Sequence, residues 1–256
     1  MSFKNILYNV SGGIAEIILN RPEKMNSLDE VLISELTGLF NQISESKDIK
    51  TVVISGAGGN FCSGLYLDYL QKISQYDIHE NKADSQRFKS MLLSIYNCSK
   101  PVIAKISGYA LAGGCGIATA CDLIIADETA KFGYTEVKIG FIPAIVMPFL
   151  MKRVPETHAK DLLLTARIIS SVEAYEIGLI NKITINEDLD KEVKELCSIF
   201  SKNSASSMAL TKEMFRNVPA MTFENALDYA CDLNANTRMT EDFKNGIAKF
   251  LNREKK

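Results

Sequence analysis

Histidine is scarce in this 256-residue chain: His79 and His158 are the only two. They are too few and too isolated for a metal cluster, and as single surface residues they need no function. None of the six cysteines, Cys62, Cys98, Cys115, Cys121, Cys197 and Cys231, forms a C-x-x-C pair. That pattern indicates neither a zinc site nor a disulfide framework and fits reduced thiols in a cytoplasm. No apolar run is long enough to span a bilayer, and residues 1–9 lack an apolar stretch followed by a small-residue cleavage site. A cytoplasmic protein with no membrane partner is the expectation, a removed organelle transit peptide aside. A P-loop G-x-x-x-x-G-K-[ST] is absent, and in the turn Gly56-Ala57-Gly58-Gly59 the third glycine of G-x-G-x-x-G would fall on Phe61. There is no G-x-S-x-G nucleophile elbow either, which argues against a serine hydrolase.

Charge of one sign is also lacking. The chain has 29 basic and 31 acidic residues and a formal net charge of -2, interspersed, so there is no sequence-wide attraction to nucleic acid or to an anionic membrane. What is present is an ordinary globular composition, 46% hydrophobic and 23% charged. Apolar runs at 14–19, 51–55, 102–106 and 122–126 read as strands. Between them lie helical patterns, from an N-cap at Asp29 to about Ser46 and over 83–97. The alternation argues for an α/β core, within which 108–116 reads as a loop of small residues. From Ile145 onward helical periodicity dominates, at 145–154, 156–165, 172–177, 189–202, 205–217, 223–235 and 241–252, with only 182–185 reading as a strand. The expected division is a core over 1–200 and a helical region over 201–256 that covers the site or makes subunit contacts.

Two glycine-containing turns follow strands: Phe61-Cys62-Ser63-Gly64-Leu65-Tyr66-Leu67 and Gly108-Tyr109-Ala110-Leu111-Ala112-Gly113-Gly114-Cys115-Gly116. Small residues in such turns permit close packing and positive φ. Gly113-Gly114 at a helix start would also present free N–H groups where the dipole favours negative charge. Two such amides on one oxygen would stabilise an enolate. A third element, Phe132-Gly133-Tyr134-Thr135-Glu136-Val137, sets a carboxylate among small and apolar neighbours, where burial would raise its pKa and suit proton transfer. Cys62 and Cys115 read as small packing residues rather than nucleophiles.

These elements, in this order, resemble the crotonase (enoyl-CoA hydratase/isomerase) superfamily. So do Asn20-Arg21-Pro22-Glu23-Lys24-Met25-Asn26-Ser27-Leu28, Ala174-Tyr175-Glu176-Ile177-Gly178-Leu179-Ile180 and the segment from Thr240 to Leu251. The resemblance covers essentially the whole chain. It implies a spiral of ββα units with a helical trimerisation region, assembled as a homotrimer or a dimer of trimers. It implies an oxyanion hole from the N–H groups of Leu65 and Gly113, and Glu136 as general acid/base. Met25, Ser27, Ser63, Gly64, Tyr66, Leu67, Ala112, Gly116 and Thr135 would line the thioester site. No cofactor is implied beyond the CoA or phosphopantetheine arm of the substrate, which is an acyl-CoA or acyl-carrier-protein thioester.

Two departures bear on the reaction. Gly116 stands where typical enoyl-CoA hydratases carry a second carboxylate, which keeps a Δ3,Δ2-enoyl-CoA isomerase in view. Leu65-Tyr66 replaces the usual Ala-Asp and reshapes the acyl pocket. The segment Ile142-Pro143-Ala144-Ile145-Val146-Met147-Pro148-Phe149 is most similar to the methylglutaconyl-CoA hydratase-like subgroup, which also carries glycine at the Gly116 position. Dehydratases of polyketide β-branching cassettes, acting on a carrier-bound 3-hydroxy-3-methylglutaryl group, share much of this pattern. The expected activity is reversible hydration of a branched 2-enoyl thioester; a non-enzymatic acyl-CoA or RNA-binding scaffold is the alternative of another class.

Overall fold

In the computed structural model, which describes residues 3–253, the chain begins with a hairpin, β1 (Ile6–Ser11) antiparallel to β2 (Ile14–Leu19). Helix α1 (Glu30–Glu45) starts where expected: the Asp29 carboxylate accepts from the Leu32 N–H and caps the first turn. Next come β3 (Thr51–Gly56), α2 (Leu67–Ile73), α3 (Ile78–Tyr96), β4 (Val102–Ile106), β5 (Tyr109–Leu111), α4 (Gly113–Ala120), β6 (Leu123–Asp127) and β7 (Lys131–Gly133). The second half holds α5 (Met147–Leu150), α6 (Glu156–Thr165), β8 (Ile168–Ser170), α7 (Ser171–Glu176), β9 (Lys182–Thr184) and α8 (Leu189–Lys202). It ends with α9 (Ala205–Asn217), α10 (Phe223–Arg238) and α11 (Glu241–Arg253).

Two sheets organise the core. The larger runs β1-β2-β3-β4-β6-β9, parallel beyond the first hairpin; the smaller runs β5-β7-β8. The strand β3 is buried almost throughout because both faces of a parallel sheet are covered. Val53, Ile103 and Ile125 pack on one side against Leu189, Val193 and Cys197 of α8. On the other side Val52, Ile54 and Ala104 join Leu36, Phe40 and Ile43 of α1 and Met91 and Ile95 of α3.

Several boundaries differ from the sequence expectation. Segment 108–116 is not a loop: it contains β5 and the first turn of α4. Glycines make a poor isolated helix, but every residue of α4 is buried, and packing overrides propensity. The expected helix over 145–154 shrinks to the single turn of α5, with Pro143 ahead of it and Pro148 inside its first turn. Helix α3 begins at Ile78 rather than Ala83, since Asp77 and Glu80 form a capping box. β8 is a second strand in the region read as helical.

Candidate active site

The site forms where the two glycine turns meet. Cys62 N–H donates to the Tyr109 carbonyl (2.9 Å), and Leu111 N–H donates to the Cys62 carbonyl (2.9 Å), so the turn after β3 runs alongside β5. The fit is tight. A Cβ on Gly114 would stand 2.1 Å from the Cys62 carbonyl oxygen, and one on Gly64 2.9 Å from the Ala112 Cβ and 3.4 Å from the Gly113 nitrogen. Gly64 also has φ +92°, a left-handed value that disfavours a side chain. These two glycines are therefore fixed by space, and they bring Leu65 and Gly113 side by side.

Both amides are free. Leu28 N–H donates to the Gly64 carbonyl (2.7 Å) and Tyr66 N–H to the Leu28 carbonyl (2.8 Å), a bridge that passes over the Leu65 N–H. Gly113 opens α4, where first-turn N–H groups have no intrahelical acceptor. Among the described residues neither N–H has a hydrogen-bond acceptor. Ala112 precedes the helix at φ 47°, ψ -117°, a strained conformation of the kind that clusters at functional sites; its N–H is held by the Gly133 carbonyl (2.7 Å).

That bond also carries the site to Glu136. β5 pairs with β7 in register Leu111↔Gly133, and three residues beyond Gly133 the chain turns into a short 3-10 helix that begins with Glu136. The Glu136 side chain is buried and its Oε2 has no hydrogen-bond partner. Burial raises its pKa above the usual carboxylate value, with its own backbone N–H pulling weakly the other way. A buried carboxyl with a free oxygen and an elevated pKa can both take and return a proton.

The remaining expected site residues are distributed around this centre. Ser27 is buried, with an unpartnered Oγ, beside the Leu28 bridge. Ser63 N–H donates to the Met25 carbonyl (3.0 Å), which ties the 20–28 segment to the turn. The Tyr66 ring lies under two cations, the Lys24 ammonium at 4.3 Å and the Arg21 guanidinium at 5.5 Å from its centroid. Leu67 opens α2 and is exposed, and Thr135 is half-buried beside Glu136. Gly116 lies on α4 one turn after Gly113, fully buried. Cys62 and Cys115 are buried too; burial pushes the Cys62 thiol up to about 12 and Cys115 higher still, which makes both poor nucleophiles.

Sequence reasoning missed the residues that hold this arrangement. Asn26 donates to the carbonyls of Ala57 (2.8 Å) and Asn60 (2.7 Å) and accepts from Arg21 N–H (2.8 Å). Arg21 in turn pairs with Asp29 at 2.8 Å. Asn26 lies in the 20–28 segment that carries the family resemblance, but its role as a tie to backbone carbonyls remote in sequence is not readable there. Tyr69 of α2 hydrogen-bonds to Asp84 of α3 and anchors the helix that follows Tyr66. A cavity of about 870 Å³ lies elsewhere, between α9 and the chain around Pro101 and Asp122. Among the described residues no cluster of three metal-ligating side chains occurs, and no helix is long and apolar enough to cross a membrane.

Residues 9–256 match the family described as enoyl-CoA hydratase/isomerase. An enoyl-CoA hydratase homologue from Thermus thermophilus is 37% identical over 240 residues, covering 94% of this chain and 95% of its own. The crotonyl-CoA hydratase of Syntrophomonas wolfei is 30% identical, covering 100% and 98%. The crystal structure of an enoyl-CoA hydratase from Shewanella pealeana superposes with a TM-score of 0.94 at 27% identity, covering 98% and 94%. The α/β core with its helical C-terminal region is the crotonase fold, and the chain belongs to the enoyl-CoA hydratase/isomerase family.

Proposed function

We propose that this protein catalyses the reversible hydration of a 2-enoyl thioester, with Glu136 as its general acid/base. The observation that carries the reading is the buried Glu136 carboxyl, with its free Oε2 and raised pKa, joined through β7 and β5 to a pair of unpaired amides. The thioester oxygen accepts from the N–H groups of Leu65 and Gly113. Water adds through its oxygen to C3 while Glu136 takes its proton; the C2=C3 electrons pass toward the carbonyl, giving an enolate held by the two amides. Glu136 then returns the proton to C2, and the net change is one water gained. Preorganised donors of this kind contribute of the order of 3–4 kcal/mol each to a developing oxyanion.

The substrate is a branched acyl group of the methylglutaconyl type, carried on CoA or on the phosphopantetheine of a carrier protein, and no further cofactor takes part. Tyr66, beneath Lys24 and Arg21, borders the thioester arm. The assembly is a trimer or a dimer of trimers, in a cytoplasmic setting. Gly116 favours a second reading, Δ3,Δ2-isomerisation, because one carboxyl suffices to move a proton between two carbons.

Incubation with crotonyl-CoA, 3-methylglutaconyl-CoA, a 3-enoyl-CoA and a carrier-protein-bound 3-methylglutaconyl thioester, beside Glu136→Gln, tests these readings by product mass and retention. Water gain on the branched substrate, lost in the variant, supports hydration. Double-bond migration without water gain replaces it with isomerisation, and turnover confined to carrier-bound substrates reassigns the carrier. Thioester binding without any turnover would leave a scaffold.

A further inference from the structure

Gly116 has no side chain, yet the space a side chain would take is filled. A Cβ there would stand 2.5 Å from Val146 Cγ1 and 3.4 Å from Val146 Cβ, with Leu92 Cδ1 at 3.5 Å. Carbon atoms do not pack at 2.5 Å, so any larger residue at 116 requires Val146 to move. Val146 is held firmly. It is 2% exposed and lies between two prolines of fixed φ. Its carbonyl accepts from the N–H groups of Phe149 and Leu150, each at 3.1 Å.

The place matters because of the helix geometry. Gly116 is three residues after Gly113, so it lies on the same face of α4, about 4.5 Å further along the axis. A thioester oxygen on the Gly113 N–H puts C3 of a 2-enoyl chain only two bonds beyond the carbonyl carbon, within reach of this turn. The side-chain space at that turn is taken by a valine methyl.

Resting on the hydratase reading above, we propose that Val146 is a specificity-determining residue of the acyl pocket. Its methyl, seated in the side-chain space of Gly116, closes that position to a second acid and gives an alkyl branch at C3 an apolar wall. A carboxylate there would be desolvated by such a branch, whereas a valine gains from it: burying one methyl is worth about fourfold in binding. Residues 116 and 146 thus act as a pair, a small residue on α4 and a branched one at the start of α5.

The test is a cycle of Gly116→Glu, Val146→Gly and the double variant, with Val146→Ala as a milder probe. Melting temperature is read together with kcat/KM for 3-methylcrotonyl-CoA and crotonyl-CoA. Gly116→Glu alone melts several degrees below the wild type or is insoluble, and the double variant melts well above the sum of the two single losses. The branched-to-straight kcat/KM ratio falls at least tenfold in the double variant and about fourfold in Val146→Ala. Additive melting losses, or a ratio unchanged in Val146→Ala, overturn the proposal while leaving the hydratase reading intact. A wild type that hydrates neither thioester, nor 3-methylglutaconyl on CoA or on a carrier protein, removes that reading, and this proposal with it.

Discussion

The molecule has two kinds of helix. Those from α1 to α8 bury side chains in the core: α1 alone sinks Leu32, Ile33, Leu36, Leu39, Phe40 and Ile43. The helices α9, α10 and α11 carry comparable apolar side chains, among them Phe215, Phe223, Leu227, Phe243 and Phe250, and every one of these is exposed. The difference teaches that the first set is stabilised within one chain. The second presents a surface that a single chain does not cover, as expected of an assembly interface.

The comparison breaks or sharpens under substitution. The largest expected effect is chemical and confined to the core: Glu136→Gln lowers kcat by about 10²–10⁴-fold, measured in a hydration assay, with the circular dichroism spectrum unchanged. Next, Phe40→Ala costs about 3–5 kcal/mol in denaturant unfolding, because the ring is wholly buried. On the proposed trimeric assembly, Phe243→Asp leaves the secondary structure intact and lowers the mass by light scattering; an unchanged mass would mean that α11 holds no such assembly together. Asp29→Ala removes the α1 cap, worth about 1 kcal/mol, and also the partner of the buried Arg21 guanidinium, so the urea midpoint shifts by more than the cap alone accounts for.

The smallest effect is a matter of pH. Because burial raises the Glu136 pKa on folding, the native state binds the extra proton, and stability falls as pH rises from the ordinary carboxyl value through the raised one. Glu136→Gln lacks this loss. It melts higher than the wild type at neutral pH, and the difference shrinks below the unfolded carboxyl pKa. A constant difference at all pH values would mean that the effect arises from packing.

Much of this was legible in the sequence. The strands 14–19 and 102–106 and the helices 156–165, 189–202 and 205–217 emerge with their expected limits, because their apolar spacing serves a single face or a fully buried strand. β1 was not seen: only Ile6 of its six residues is buried, so no alternation marks it. α4 was hidden by its glycines, whose purpose, contact with the Cys62 carbonyl and with Val146, exists only in three dimensions. Glu136 stood out by its neighbours. Asn26 did not, because its partners Ala57 and Asn60 lie more than thirty residues away, and the filling of the Gly116 space by Val146 follows from no local pattern.

The two unpaired amides belong to the main chain, and on the reading proposed here this makes them almost immune to drift. Nearly any codon change at Leu65 leaves an N–H in place; only proline deletes it. The part that steadies an enolate is therefore inherited with the fold. Selection is left free to revise the side chains around it, so a new reaction can be acquired without first surrendering the old intermediate.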